Sequence, residues 1–223
     1  MSVASAKGSR TNGSRANGAR PSHAERYDRA YFDHWYRDPK HRVKDRGDLS
    51  RQARLVVGAA EHILGRPIRS VLDVGCGEGQ WRAELRRLRP GVKYTGVDAS
   101  EYAVRRWGKR RNIRLGTIET LGRLRLASEY DVVLCVGFLN YLSADELRRG
   151  LANVYDHLDG VAYLEIFARE DDDVFGDIAP EQLRPARWYR RVARDAGLVA
   201  CGLHCYVPHW LVGHTAALER AGV

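Results

Sequence analysis

Two acidic residues and three glycines are the residues of this chain best placed to do chemistry. Asp73 lies in an apolar run, two residues before a loop with glycine at every second position, Gly75, Gly77 and Gly79. Nineteen residues after Gly79, a second predicted strand ends in Asp98. A carboxylate beside the loop favours a cationic ligand, and a carboxylate at the second strand can accept both hydroxyls of a ribose. The pattern predicts a cleft for a nucleoside that carries positive charge.

The glycine loop departs from the loops that bind phosphate. A dinucleotide loop needs G-x-G-x-x-G, but position 80 is Gln. The chain also lacks G-x-x-x-x-G-K-[ST], so a P-loop is excluded. The ligand is therefore expected to be held through its charge and its sugar, with no pyrophosphate on the helix.

This combination resembles the first motif of the class I S-adenosylmethionine (SAM) dependent methyltransferases, with a resemblance over roughly residues 66 to 206. The resemblance implies SAM as cofactor and S-adenosylhomocysteine (SAH) as product. It places Asp73 near the methionine part of SAM and Asp98 on the ribose. The cofactor-binding residues that we expect are Asp73, Gly75, Cys76, Gly77, Gly79, Trp81, Asp98, Ala99, Thr117, Ile118, Glu119, Val136 and Tyr141.

Two further segments are similar to the family's later motifs. Leu115 to Glu119 occupies the adenine-binding segment, but Thr117 stands where many members have Asp, so Glu119 is an alternative partner for the adenine. The stretch 131–142 has the acid and apolar strand of the fourth motif, and the loop after it faces the methyl group in the family. It lacks the N/D-P-P-Y/F signature of enzymes that methylate exocyclic amines of nucleic acids.

The candidates for catalysis are Tyr141, Glu165 and His204, which follow or lie at the ends of predicted strands. An acceptor hydroxyl or ammonium must lose a proton at some stage, and these side chains could take part. Glu165 could instead be a strand-end residue bonded to nearby backbone, and His204 could be structural. The acidic loop 170–173, with Asp177, could steer a cationic amine or simply be solvated.

Composition and charge limit the partners and the cellular compartment that we expect for this chain. The chain has 223 residues, 44% of them hydrophobic, and a net charge of +9, of which Lys7, Arg10, Arg15 and Arg20 contribute four before the first acid. The remainder is mildly basic, so a nucleic-acid partner is not expected. No apolar run is long enough for a bilayer, and the four cysteines show no close-spaced disulfide framework, so we expect a cytoplasmic protein. Cys201 and Cys205 lack metal-ligand spacing, and no metal is expected.

The elements that must position these residues alternate between strands and helices. Strands are predicted over 70–74, 93–97, 112–115, 130–136, 160–167 and 198–206, and helices over 80–88, 100–107, 143–157 and 181–196. Residues 215–219 could be a short helix or, as slightly favoured, the last antiparallel strand. The alternation predicts an α/β fold, a doubly wound, mostly parallel Rossmann-like sheet of about seven strands with helices on both faces.

Three segments are predicted along the chain. Residues 1–24 are expected to be a disordered basic tail, 25–65 an N-terminal helical lid, and 66–223 the SAM-binding methyltransferase domain. The helix at 27–36 is rich in aromatic residues; it could close over the cleft or merely pack on the sheet, and another helix follows over 49–64.

The function that follows is methyl transfer from SAM to a small-molecule acceptor, at a nitrogen or an oxygen atom. Two alternatives stay open: an RNA or protein acceptor held by the basic tail, and a SAM-binding protein without catalysis.

Overall fold

The fold is described from a computed structural model, which describes residues 27–42, 44–172, 174 and 178–220. The predicted tail 1–24 lies outside the described residues, as do Asp173 and Asp177 of the acidic loop.

A seven-stranded sheet forms the centre of the fold, in the order β3-β2-β1-β4-β5-β7-β6. The first five strands pair in parallel, and β7 runs antiparallel to both β5 and β6. The strands are β1 (Ser70–Val74), β2 (Lys93–Asp98), β3 (Ile113–Leu115), β4 (Tyr130–Cys135), β5 (Leu158–Leu164), β6 (Leu198–Ala200) and β7 (Cys205–Pro208). The predicted doubly wound, mostly parallel α/β sheet is confirmed.

Helices cover both faces of the sheet. The α-helices are α1 (Arg29–Phe32), α2 (Arg46–Leu64), α3 (Trp81–Leu88), α4 (Glu101–Arg111), α5 (Ala144–Asp156) and α6 (Ala186–Asp195). Side chains of α2 and α3 share one buried cluster with one face of the strands, and those of α5 and α6 share a second cluster with the other. Both faces of β1 and β4 are therefore buried, as their nearly continuous apolar sequences require.

The C-terminal part differs from the predicted strands. The predicted strand over 198–206 is two strands, because Leu203 and His204 adopt positive φ angles and turn the chain back on itself. The antiparallel strand of the sheet is therefore β7. The slight preference for a strand over 215–219 is wrong, since Ala217–Glu219 is a turn of 3₁₀-helix.

The two helices before β1 pack differently. Helix α1 continues into a π-helix over Asp33–Arg37, and its aromatic side chains turn towards the sheet edge. Helix α2 packs against β5 and contributes Val56, Ala60 and Ile63 to the core. Of the segment predicted as a lid, the part before α2 therefore lies over the cleft, whereas most of α2 is a layer of the fold.

Candidate functional site

The glycine loop turns the chain tightly from β1 into α3. Gly75 and Gly77 have φ angles of +66° and +54°, a region that side chains rarely adopt. A Cβ at Gly75 would lie 2.5 Å from the Phe138 ring, and one at Gly77 would lie 2.9 Å from the Tyr36 hydroxyl oxygen. The backbone N–H groups of Gly75 and Cys76 donate to the Val97 carbonyl, which ties the loop to β2. The loop thus leaves space that only glycine keeps open.

Asp98 ends β2 next to this loop. Its side chain is 8% exposed. It accepts hydrogen bonds from the backbone N–H of Gly77 at 2.6 Å and of Ser100 at 2.8 Å. These bonds fix the carboxylate against the loop, at the edge of the sheet where ligands of parallel α/β sheets bind.

Asp73 lies inside the same edge and is 1% exposed. The Tyr94 hydroxyl donates to its Oδ2 atom at 2.7 Å. Burial, with a smaller contribution from the charge of Asp98, raises the pKa of Asp73 to about 7, and the Tyr94 hydrogen bond opposes that shift. Asp73 can therefore change its charge near neutral pH, and a cation beside it would favour the ionised form.

Two cavities meet at this edge of the sheet. We call them the Asp98 cavity and the Glu165 cavity. The predicted residues lining the Asp98 cavity are Gly75, Gly77, Asp98, Ala99, Thr117, Ile118, Glu119, Val136 and Tyr141. Those lining the Glu165 cavity are Asp73, Gly75, Cys76, Trp81, Val136, Tyr141 and Glu165. Their common wall consists of Tyr31, Tyr36, Gly75, Val136, Gly137 and Tyr141.

Two predicted site residues line neither cavity. Gly79 packs under the loop, where an added Cβ would lie 3.1 Å from Ile113 and 3.3 Å from the Tyr94 hydroxyl. His204 lies in the turn between β6 and β7, and its ring packs edge-on against Tyr163 and Phe167. Phe167 stands between the histidine and the Glu165 cavity, so the structure does not bring His204 to a reacting atom.

Aromatic side chains from the N-terminal segment close the cavities. Tyr31, Trp35 and Tyr36 line the Glu165 cavity, and Ser100 donates a hydrogen bond to the Tyr27 carbonyl at the other end of the segment. Burial, first of several causes, raises the pKa of Tyr36 well above its usual value. Its hydroxyl therefore stays protonated beside Gly77. The π-helix over Asp33–Arg37 carries Trp35 and Tyr36, both of which line the Glu165 cavity.

Glu165 follows β5 and is 5% exposed. Its Oε1 atom accepts hydrogen bonds from Lys44 Nζ and, at 3.0 Å, from Gln52 Nε2. Lys44 also donates to Gln52 at 3.1 Å. The partners of Glu165 are thus two side chains more than a hundred residues away in sequence, and the alternative of a bond to nearby backbone does not describe its side chain. No motif marks Lys44 or Gln52.

Asn140 holds the two loops of the Glu165 cavity together. Its side chain donates to the Phe167 carbonyl at 2.7 Å and to the Tyr189 hydroxyl at 3.1 Å, and it accepts from the Phe167 N–H at 3.1 Å. Tyr141 follows directly in sequence and lines both cavities. Asn140 is buried, so it positions these loops and does not itself face the cavities.

The segment expected at the adenine is held by α5. Asn153 donates to the carbonyls of Ile118 and Glu119 at 2.9 and 3.0 Å. The Glu119 carboxylate accepts from Arg149 at 2.6 Å, and the Thr117 side chain lies 3.5 Å from that of Thr120. Both candidate adenine partners line the Asp98 cavity, and Glu119 already has a cationic partner.

The comparisons with known proteins agree with this geometry. The sequence profile of a methyltransferase domain matches residues 72–161, from β1 into β5. A malonyl-[acyl-carrier protein] O-methyltransferase from Bacillus cereus is 32% identical over 104 residues, which cover 45% of this chain and 38% of that protein. The chain thus matches less than half of the length of this curated relative.

Solved structures share the fold at low sequence identity. The sugar N-methyltransferase KedS8 from Streptoalloteichus superposes with a TM-score of 0.59 at 18% identity, covering 89% of this chain and 90% of that chain. The amino pentose methyltransferase CalS10 from Micromonospora echinaspora gives a TM-score of 0.53 at 18% identity, over 71% of this chain and 90% of that chain.

The fold is that of an α/β protein with two carboxylates near the carboxyl edge of its sheet, where ligands of such sheets bind. Residues 72–161 match a methyltransferase domain, and this match supports the predicted class, a class I SAM-dependent methyltransferase. The comparisons likewise support the predicted enzyme class and the predicted cofactor SAM. Among the described helices, none is long and apolar enough to cross a membrane.

Proposed function

We propose that this chain transfers a methyl group from SAM to a small-molecule acceptor, at a nitrogen or an oxygen atom. The main support for this proposal is the wall that the Asp98 and Glu165 cavities share at Gly75, Val136 and Tyr141. A nucleoside in the Asp98 cavity would direct the rest of a donor towards Asp73. The amino acid part of the donor would thus enter the Asp73 side of the Glu165 cavity, and an acceptor beside Glu165 would meet the methyl group near the shared wall.

The residues of the Asp98 cavity fit SAM. Asp98 offers two carboxylate oxygens to a ribose diol, and bonds of this kind are charge-assisted. Gly77 has no side chain, so the backbone can lie close to the ligand; a Cβ there would meet the Tyr36 hydroxyl. Asp73 lies at the end of the sheet where the cationic amino acid part would be placed, and its carboxylate favours positive charge. Bound SAM would supply an electrophilic methyl group on its sulfonium.

The other role of this chain's residues would be to position the donor and the acceptor. A methyl transfer by in-line displacement gains most from holding the two reacting atoms in contact. Tyr31, Trp35 and Tyr36 would exclude water, and their aromatic faces favour a cationic group. Glu165 and Tyr141 would orient the acceptor, with Lys44 holding the Glu165 carboxylate in place. The neighbours described as sugar N- and amino pentose methyltransferases support an amine among the acceptors to be tried.

The test measures SAH binding by calorimetry and labelled methyl uptake from SAM over a library of amines, phenols and carboxylic acids. The wild type should bind SAH and methylate at least one member. Gly75→Ala should do neither, because its Cβ would enter the Phe138 ring. Gly58→Ala is the matched control, since Gly58 lies in α2 with nothing within 4 Å of an added Cβ. Failure of the wild type to bind SAH would refute the proposal.

A second pair of variants tests the Glu165 cavity. Glu165→Gln should leave SAH affinity unchanged within about twofold and lower kcat/KM for the acceptor by about tenfold. Glu129→Gln is the control, because Glu129 is exposed and outside both cavities. Unchanged acceptor kinetics in Glu165→Gln would remove Glu165 from the proposal and leave the donor site intact.

A further inference from the structure

A third depression opens beside the Glu165 cavity. We call it the basic groove. Its cations are Arg42, Lys44, Arg46, Arg82 and Arg111, and its acids are Asp45 and Glu84. The groove shares Tyr36, Lys44, Leu49 and Gln80 with the lining of the Glu165 cavity. A ligand could therefore occupy both spaces at once.

The acids of the basic groove already have partners. Asp45 caps α2, where its side chain accepts from the Asp48 N–H at 2.8 Å, and this bond is the main cause of its lowered pKa. Glu84 accepts from Arg87 at 2.9 Å, and its other carboxylate oxygen lies 4.0 Å from Arg46 Nε. Five cations against two acids leave the groove with net positive charge.

Two of the cations are not held in an ion pair. Among the described residues, the side chains of Arg42 and Arg82 form neither an ion pair nor a side-chain hydrogen bond, although the charge of Arg42 helps to lower the pKa of Asp45. The Arg111 guanidinium is fixed over the Trp107 ring at 3.7 Å and donates to the Glu78 carbonyl. Burial lowers the pKa of Arg111; the charge of Glu78 opposes that shift, and the charges of Arg110 and Arg82 add to it. Arg82 and Arg111 line the same groove.

The start of α3 adds backbone donors to the same place. Gly79, Gln80, Arg82 and Ala83 all line the basic groove. Helix α3 begins at Trp81, and its N-cap residue Gln80 makes no capping hydrogen bond from its side chain. The first N–H groups of a helix attract anions. The guanidinium groups and the helix start therefore line one depression.

We infer that the basic groove binds the phosphate or diphosphate group of the methyl acceptor, while the reactive end of that acceptor enters the Glu165 cavity. The inference rests on the proposed function and names the chemical class of its substrate. Several guanidinium groups together match a multiply charged phosphoryl group, whose oxygens accept bidentate bonds, better than a single carboxylate. Lys44 links the two spaces, since it lines both.

The experiment titrates pyrophosphate, and separately inorganic phosphate, into the full chain saturated with SAH and measures heat. The wild type should bind pyrophosphate more tightly than phosphate. Arg82→Ala and Arg42→Ala should each weaken pyrophosphate binding by about tenfold. Arg86→Ala is the matched control, because Arg86 is an exposed residue of α3 outside the groove and removes the same charge. It should change binding by less than about twofold.

Three results would overturn the inference. Equal weakening by Arg86→Ala would reduce the effect to net charge. A tenfold loss of SAH affinity in Arg82→Ala would assign the basic groove to the carboxylate of the donor. A ribo-oligonucleotide that binds more tightly than pyrophosphate and is lost in the same variants would indicate a macromolecular partner.

Two separate titrations distinguish failure of the proposed function from failure of the inference about the groove. SAH titrated into the wild type alone tests the donor site, and pyrophosphate titrated without SAH tests the groove. If SAH does not bind but pyrophosphate does, methyl transfer is rejected and an anion site remains. If SAH binds but pyrophosphate does not, only the inference about the groove is rejected. Phosphorylated sugars and nucleoside diphosphates, tried as methyl acceptors, then separate a phosphosugar from a nucleotide as the source of the phosphate.

Discussion

The Asp98 cavity and the Glu165 cavity share a wall, yet they are built in different ways. Gly75, Gly77 and Asp98 of the Asp98 cavity lie within the single stretch from 75 to 98, and backbone hydrogen bonds of the loop and β2 position them. The Glu165 cavity takes residues from the N-terminal segment, from the start of α2 and from the loops after β1, β4 and β5. The N-terminal segment lines both cavities, but the acid of the first is held by local backbone bonds and the acid of the second by side chains distant in sequence.

The contacts at the Glu165 cavity show this dependence. Lys44 and Glu165 are 121 residues apart in sequence, and Asn140 reaches Phe167 across 27 residues. Side-chain hydrogen bonds of this kind position loops that have little regular structure of their own. We therefore expect substitutions in the Asp98 cavity and in the Glu165 cavity to act independently, and four predictions test that independence.

The largest effect is expected at Asp98. Asp98→Ala removes both oxygens offered to a ribose and the acceptor of the Gly77 N–H. SAH affinity should fall by about 100-fold, because two hydrogen bonds to a charged group are lost. The SAH affinity of Asp98→Asn should lie between those of the wild type and Asp98→Ala. Calorimetry checks the order, with Asp156→Ala as an exposed acidic control; a loss below about threefold would contradict the role of Asp98.

The second effect is a pH dependence that belongs to Asp73. Because its pKa is raised to about 7 in the free protein, it binds a proton below that pH. A cationic ligand needs the carboxylate, so binding must then release the proton. SAM affinity should fall by about tenfold per pH unit below 7 and level off above it.

The control for this dependence is Asp73→Asn, which has no carboxyl to titrate. Its SAM affinity should be weaker at pH 8 and nearly flat down to pH 6. Calorimetry in two buffers of different ionisation enthalpy counts the protons released. A wild-type affinity that rises as the pH falls would contradict the assignment of the shift to Asp73.

A matched pair of asparagines separates the two cavities. Asn140→Ala removes the bonds to Phe167 and Tyr189, so acceptor kcat/KM should fall by about tenfold while SAH affinity changes by less than about threefold. Asn153→Ala frees the carbonyls of Ile118 and Glu119. It should lower SAH affinity by about fivefold and leave the acceptor KM unchanged.

Both asparagine variants should unfold at lower temperature, which a thermal scan measures, because each removes bonds to a partly buried segment. The informative readout is therefore the split between donor affinity and acceptor kinetics. If both variants impair both quantities equally, the two cavities are not independent.

The smallest effect is expected at Thr117. Thr117→Asp places in this chain the acid that many family members carry, and a single added hydrogen bond should raise SAH affinity by about threefold. The capping position is retained, since Asp is also a favourable N-cap. Thr117→Val is the control without a polar group. A fall in SAH affinity with Asp would place the adenine amino group away from this side chain.

Prediction succeeded where a structure is local. The strand predicted over 70–74 is β1, Ser70–Val74, and the helix predicted over 80–88 is α3, Trp81–Leu88, because each depends on residues close together in sequence. It failed at the 198–206 hairpin, because Leu203 and His204, residue types that rarely take positive φ angles, adopt them there and turn the chain. Neither Lys44 nor Gln52 carries any signal, since their role arises from where α2 packs.

The sequence leads to no expectation of a metal site. Among the described residues, potential ligand atoms of His34, Asp38 and His41 in the N-terminal segment lie within 4.8 Å of one another. His41 there bonds to Asp38 at 2.7 Å. Spacing through an irregular π-helix and turn gave no template for this group.

The sequence by itself determined the alternating fold, the glycine loop and the two carboxylates, because strand ends and tight turns depend on residues within a few positions of each other. The tertiary structure alone decided which side chains enclose the Glu165 cavity and form the basic groove. Those side chains come from separate segments, and only the packing of α1 and α2 against the sheet edge brings them together.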